Sequence, residues 1–159
     1  MKLKLLVAAL AFATTSSFAA ELATRIGLTL EVAKQMSAAA EAEATKNKWP
    51  VAIAIVDEGG HLIHLAKIDN TQYGSVDVAI QKAQTSAAFK RPTKIFEEAI
   101  AGGRNALIGL KGVLPLEGGV PIINDGKVIG AIGVSGVKST EDGQVAKAGA
   151  DALAGIVGK

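Results

Sequence analysis

In 159 residues, 17 Lys and Arg stand against 15 Asp and Glu, 49% of the side chains are hydrophobic, and there is no Cys. The missing Cys excludes thiolate metal sites, Cys nucleophiles and disulfide staples. The balanced charge offers no basic stripe of the kind that binds nucleic acid.

The chain opens on an export signal: Lys2 and Lys4, an apolar run from Leu5 to Ala13, and the small-x-small site Ser17-Phe18-Ala19. Cleavage after Ala19 removes 19 of the 159 residues and leaves 140, one domain spanning 20–159. Loss of Lys2 and Lys4 leaves 15 basic against 15 acidic residues. The apolar run is too short to span a bilayer and no later stretch is longer, so a periplasmic or secreted protein without a transmembrane segment is expected.

Thr29 is placed to cap a helix running to about Lys46, with Val32, Ala33, Met36, Ala39, Ala40 and Ala44 at helical spacing and Ser37 off that stripe. Pro50 ends it, because the residue before a proline avoids helical geometry. Two short strands follow, Val51 to Val56 and His61 to Lys67, joined by the turn Asp57-Glu58-Gly59-Gly60. A helix capped by Ser75 runs to about Phe89, and Thr93 caps a shorter one over Lys94 to Ala101, which Gly102-Gly103 ends. In the stretch Arg104 to Glu117, Leu107 to Leu110 fits a helical turn and Val113 to Leu116 a strand interrupted by Pro115.

The strongest local signal lies between Gly118 and Gly136. Val120 to Ile123 and Val128 to Val134 flank Asn124-Asp125-Gly126-Lys127, and Asp-Gly supplies the positive φ that a two-residue hairpin turn demands. By alternation Val128, Gly130, Ile132 and Val134 share one face and Ile129, Ala131, Gly133 and Ser135 the other. Neither face is wettable, so this strand belongs inside a covered sheet. Ser139 and Asp142 have capping spacing for a last helix from Thr140 to about Ala154. Hairpins outnumber crossovers, so the expected fold is α+β: a mainly antiparallel sheet of two hairpins flanked by helices.

VAIAIVDEGGHLIHLAKIDN from Val51, KAQTSAAFKRPTKIFEE from Lys82 and LEGGVPIINDGKVIGAIGVSG from Leu116 resemble, in order and over nearly all of the mature chain, the HbpS/GlcG haem-binding family. The resemblance implies a profilin-like domain that forms homo-oligomers and binds haem or a related tetrapyrrole. One departure is local: Lys67-Ile68-Asp69-Asn70 stands where many relatives have Arg-Met-Asp-Gly.

With haem as the implied cofactor, His61 and His64, the two histidines of the chain, are the first candidates for its iron. Residues three apart on a strand face opposite ways, so one histidine at most serves a given pocket, and a two-His zinc site is disfavoured. His64, within the strand, is the better held; Met36 and Tyr73 are secondary candidates. Lys90, Arg91 and Arg104 are candidates for pairing with propionates or another carboxylate. No Gly-x-Ser-x-Gly, His-Glu-x-x-His, Walker loop or Gly-x-Gly-x-x-Gly occurs. Haem degradation enters as an activity only through the resemblance. The competing reading is an extracytoplasmic sensor or interaction module, holding a sensor protein or a small carboxylate instead of haem.

Overall fold

A computed structural model describes residues 20–158. The expected export signal, residues 1–19, lies outside the described residues. Thr29 does cap α1 (Leu30–Asn47), its hydroxyl accepting from the Val32 N–H at 3.2 Å. β1 (Ala52–Asp57) and β2 (Leu62–Lys67) form the first hairpin, and the Asp57 carboxylate knots its turn by accepting from the N–H groups of Gly59 and His61, both at 2.8 Å. α2 (Ser75–Phe89) and α3 (Lys94–Ala101) follow, then β3 (Gly119–Asn124) and β4 (Lys127–Ser135) as the second hairpin. Its two-residue turn is Asp125-Gly126, with φ of 47° and 73°. α4 (Ser139–Asp151) and α5 (Leu153–Val157) close the described chain.

The strands form one antiparallel sheet in the order β2-β1-β4-β3, an α+β architecture as expected. On one face Ile53, Ile55, Ile122, Ile132 and Val134 pack against Met36, Ala40 and Val145 of α1 and α4. On the other, Ala52, Ala54, Val56 and Ala131 pack against Ala79, Ala83 and Ala87 of α2. The small residues let α2 lie almost on the backbone of the sheet. A methyl added at Gly133 would overlap the Ala79 carbonyl oxygen.

Two bulges break the simple alternation. β3 pairs Ile122 with Gly130 but Ile123 with Val128, so Ile129 is the extra residue and joins Ile132 and Val134 in the α1–α4 core. In the first hairpin Ile55 pairs with His64 and Val56 with Leu62. Ile63 therefore packs with the α1–α4 core and Leu65 with the α2 core, and His64 shares a face with Ala66 but not with Leu62.

The remaining differences lie in the helices and loops. Ser37 is buried in α1, its hydroxyl donating to Glu41 at 2.8 Å, because α4 widens the buried face of that helix. Ser75 is the first residue of α2, not its cap, and neither it nor Thr93 caps through its side chain. Leu107 to Gly109 falls in a short 3₁₀ turn (Asn105–Gly109) that Leu110 ends, whereas Val113 to Leu116 is irregular backbone; Leu114 N–H donates to the Thr85 hydroxyl and is not free for a ladder. The last helix starts at Ser139, with Glu141 accepting from Lys138 N–H at 3.1 Å, and it breaks at Ala152. Asp142 is engaged elsewhere. Among the described residues no helix is long and apolar enough to cross a membrane.

Gly133→Ala should lower unfolding stability by at least about 2 kcal/mol, since neither the Ala79 carbonyl nor the Ala83 N–H can retreat. Gly109→Ala, which meets nothing within 4 Å, should change it by less than about 0.5 kcal/mol. Urea denaturation of the two variants measures the contrast.

Candidate functional site

The free edge of β3 borders a groove of about 990 Å³, bounded by the α2–α3 connection on one side and by α4 and α5 on the other. Val120, Pro121 and Ile123 supply one apolar wall, and Leu153, Ala154 and Val157 the facing one. Pro121 has no N–H to present at that edge. The size is at the upper end of the range for small-molecule sites.

Local chain geometry puts two cations beside it. α2 ends where Lys90 turns left-handed at φ 52°, so the chain leaves the helix as Lys90-Arg91-Pro92 along the groove. Arg91 Nε donates to the Phe89 carbonyl at 3.0 Å, and its guanidinium lies 5.9 Å from the centre of the Phe96 ring. Thr93, fully buried, then ties the connection to β3: its N–H donates to Gly119 O at 3.0 Å, and its hydroxyl accepts from Gly119 N–H at 2.9 Å. The other groove lysines are partnered, Lys94 with Glu117 at 3.3 Å and Lys147 with Asp151. Among the described residues no carboxylate lies within 4.0 Å of Lys90 or Arg91. These two cations are available to an anionic ligand.

Beneath the groove at Gly118 lies a buried ion pair. Lys82 of α2 and Asp142 of α4 approach to 2.8 Å with side chains 2% and 3% exposed. Lys82 Nζ also donates to Val134 O at 3.0 Å, and Asp142 accepts from Val137 N–H at 3.2 Å. A Cβ at Gly118, whose φ is +128°, would lie 2.8 Å from Lys82 Nζ and 3.0 Å from Asp142 Cβ. Burial raises the Asp142 carboxyl above its ordinary value, against the opposing pull of the Lys82 ammonium.

Of the residues singled out from the sequence, the fold brings Lys90 and Arg91 to this groove and leaves the others elsewhere. His64 is half-buried in β2, three strand positions from β3, about 14 Å at the usual strand spacing. His61 is in the turn before β2, its ring nitrogen 3.3 Å from Asp57 Oδ2 with the side chain 84% exposed. Burial would raise the Asp57 carboxyl, but the hydrogen bonds from His61 and Gly59 outweigh it and hold the group below its ordinary value. Arg104 is exposed after α3 and does not line the groove, Tyr73 is 91% exposed, and Met36 is core. Among the described residues no cluster of three or more His, Asp or Glu could hold a metal ion. The Lys82–Asp142 pair was missed from the sequence: Lys82 adjoins the Ala79–Ala83–Ala87 stripe, and Asp142 has the spacing of a cap.

Residues 28–151 match the family model described as haem degrading protein HbpS-like. The chain belongs to the HbpS-like family. Protein GlcG of Escherichia coli is 42% identical over 112 residues, covering 70% of this chain and 84% of that one. A crystal structure of an HbpS double mutant from Streptomyces reticuli superimposes with a TM-score of 0.77 at 32% identity, covering 90% of this chain and 98% of the other. The crystal structure of a PduOC:heme complex superimposes with a TM-score of 0.73 at 27% identity, covering 80% and 95%. The similarity thus extends over most of the HbpS-like fold described above.

Removing one partner of the buried pair, as in Asp142→Asn or Lys82→Met, should cost about 3–5 kcal/mol, because it strands a charge or a polar group in the interior. The double substitution Lys82→Met with Asp142→Leu should cost less than the sum of the single losses, a coupling measured by a double-mutant cycle in urea.

Proposed function

We propose that this chain is an exported, self-associating protein that binds haem or a related tetrapyrrole, with the macrocycle lying in the groove beside β3. The observation that carries the reading is the pairing of apolar walls with two cations, Lys90 and Arg91, that have no carboxylate partner among the described residues. A tetrapyrrole has the matching chemistry, a flat apolar body with carboxylates on one side. The family match and the haem complex of a similar fold support it.

The donor set of the groove fits the periphery of the macrocycle better than its metal. Among the described residues its lining includes no His, Tyr or Met. His64, held in β2 opposite Ile55, is the proposed iron ligand and the more exposed His61 the alternative; standing at the other edge of the sheet, the histidine would act on a macrocycle in the groove of a second copy. The same lack of an imidazole in the groove favours a second reading, a sensor or interaction module that takes a small amphipathic carboxylate without iron.

Titrating haemin into the mature protein should produce a Soret band that saturates at a defined stoichiometry. Lys90→Gln with Arg91→Gln should weaken binding about tenfold, about 1.4 kcal/mol. A missing Soret band, with a simple amphipathic carboxylate binding instead, would select the second reading. His64→Ala should change the ferric spectrum and His61→Ala should change it less. Two parental spectra would sink histidine ligation. The exported protein should begin at Ala20, and an intact mass that retains residues 1–19 would refute the proposed cleavage.

A further inference from the structure

Where α1 hands over to β1 a second cleft of about 350 Å³ opens, and it shares no residue with the groove beside β3. That volume is at the lower end of the range for small-molecule sites. One lip is the exit of α1, Lys48-Trp49-Pro50, and the other is the exit of β2, Ile68-Asp69-Asn70. Both lips are pinned by backbone. Lys48 turns left-handed at φ 59°, and the Trp49 N–H then donates back to the Ala44 carbonyl at 2.9 Å. Across the cleft the Ile68 N–H donates to Val51 O at 3.0 Å, and the Thr71 N–H and hydroxyl both donate to Ile68 O, at 3.2 and 2.6 Å. Asn70 between them is left-handed at φ 66°. The walls are therefore set before any ligand arrives, which lowers the cost of binding.

The lining combines three chemistries. Trp49 and Ile68 are partly buried against the α1–α4 core and Pro50 is partly buried beside them, so the cleft has an aromatic and aliphatic wall. Asp69 and Lys48, both exposed, bring one charge of each sign to its rim. Among the described residues neither has an opposite charge within 4.0 Å, so the two do not neutralise one another. The C-terminal end of α1 adds the partial negative charge of the helix dipole, which acts with Asp69 and the indole to attract a cation. A methylated ammonium suits this lining better than a bare one, because it has methyl groups to set against Trp49, Pro50 and Ile68 and gives up less hydrogen-bonded water. Lys48 is left for a carboxylate on the same molecule. We propose that this cleft binds a small zwitterion of the betaine class, its methylated ammonium held by Trp49 and Asp69 and its carboxylate by Lys48.

Trp49 is the single tryptophan of the chain, so its fluorescence reports on the cleft directly. Titrating glycine betaine into the mature protein should give a saturable change in emission, matched by calorimetry, with half-saturation at about 1 mM or below. Choline keeps the methylated ammonium without the carboxylate, and glycine keeps the carboxylate without the methyl groups; each should bind at least about threefold more weakly. Asp69→Asn should weaken betaine and choline alike by at least about threefold, whereas Lys48→Gln should weaken betaine by that factor and leave choline unchanged. A folding defect would not separate the two ligands in this way. No saturable signal for betaine in either measurement, or an Asp69→Asn chain that binds it with parental affinity, would overturn the site. Choline bound as tightly as betaine, or a Lys48→Gln chain with parental affinity for betaine, would overturn the carboxylate contact and with it the zwitterion. Glycine bound as tightly as betaine would overturn the methylated class.

Discussion

The contact between Lys82 and Asp142 joins helices that cover opposite faces of one sheet, and much of the geometry around β3 depends on it. An ammonium and a carboxylate withdrawn from water cost more than their attraction returns unless further hydrogen bonds satisfy them. Here the Val134 carbonyl and the Val137 N–H supply those bonds, both from the end of β4 and the residues just after it. The pair can pass from one layer to the other only where the edge strand leaves room. Gly118 provides that room, having no Cβ to strike Lys82 Nζ and a backbone at φ +128° that other residues avoid. Gly119 next to it is held from both its N–H and its carbonyl by Thr93. The start of β3, the α2–α3 connection and α4 are therefore fixed relative to one another by a few polar contacts, and the groove is the space that these three segments enclose with α5.

Layer thickness explains why the groove opens at this edge. On the α2 side the sheet presents Ala52, Ala54, Ala131 and Gly133, and the helix answers with Ala79 and Ala83, so the two backbones nearly touch. The other side is filled by Met36, Ile53, Ile55 and Ile132, which hold α1 and α4 farther out. The first turns of α3, joined by Thr93 to the head of β3, and α5 beyond the break at Ala152 then stand on either side of the uncovered strand. An uncovered strand edge invites pairing with another chain. Pro121 removes one donor from it, and the flanking segments leave an apolar trough suited to a flat ligand.

The local code was legible where each residue acts on its neighbours. Asp125-Gly126 makes the hairpin turn because both positions need positive φ, Thr29 caps α1 through its own hydroxyl, and Asp57 closes the first turn. The alternation expected for β4 fails at Ile129, and that of β2 breaks at Ile63, because a bulge depends on how the partner strand is registered. Lys90 and Arg91 were found as cations near the end of a helix. That they border a groove depends on segments more than 25 residues away, such as β3 and α5.

By itself the sequence determined the order of the main helices and strands, the antiparallel hairpins, the family and hence the expected tetrapyrrole, because these follow from periodicity, turn chemistry and matched motifs. Only the tertiary structure decided which charges are free. Among the described residues Lys94 and Lys147 find carboxylates and Lys90 and Arg91 do not, and Asp142, spaced like a helix cap, is drawn inward to meet a lysine 60 residues earlier. It also decided that the histidines and the groove lie at opposite edges, since strand order β2-β1-β4-β3 places the first hairpin's outer strand farthest from the second's. The physical reason is the same in each case: a side chain's charge state and partners are set by what the fold brings within a few ångströms, and sequence spacing does not encode that distance.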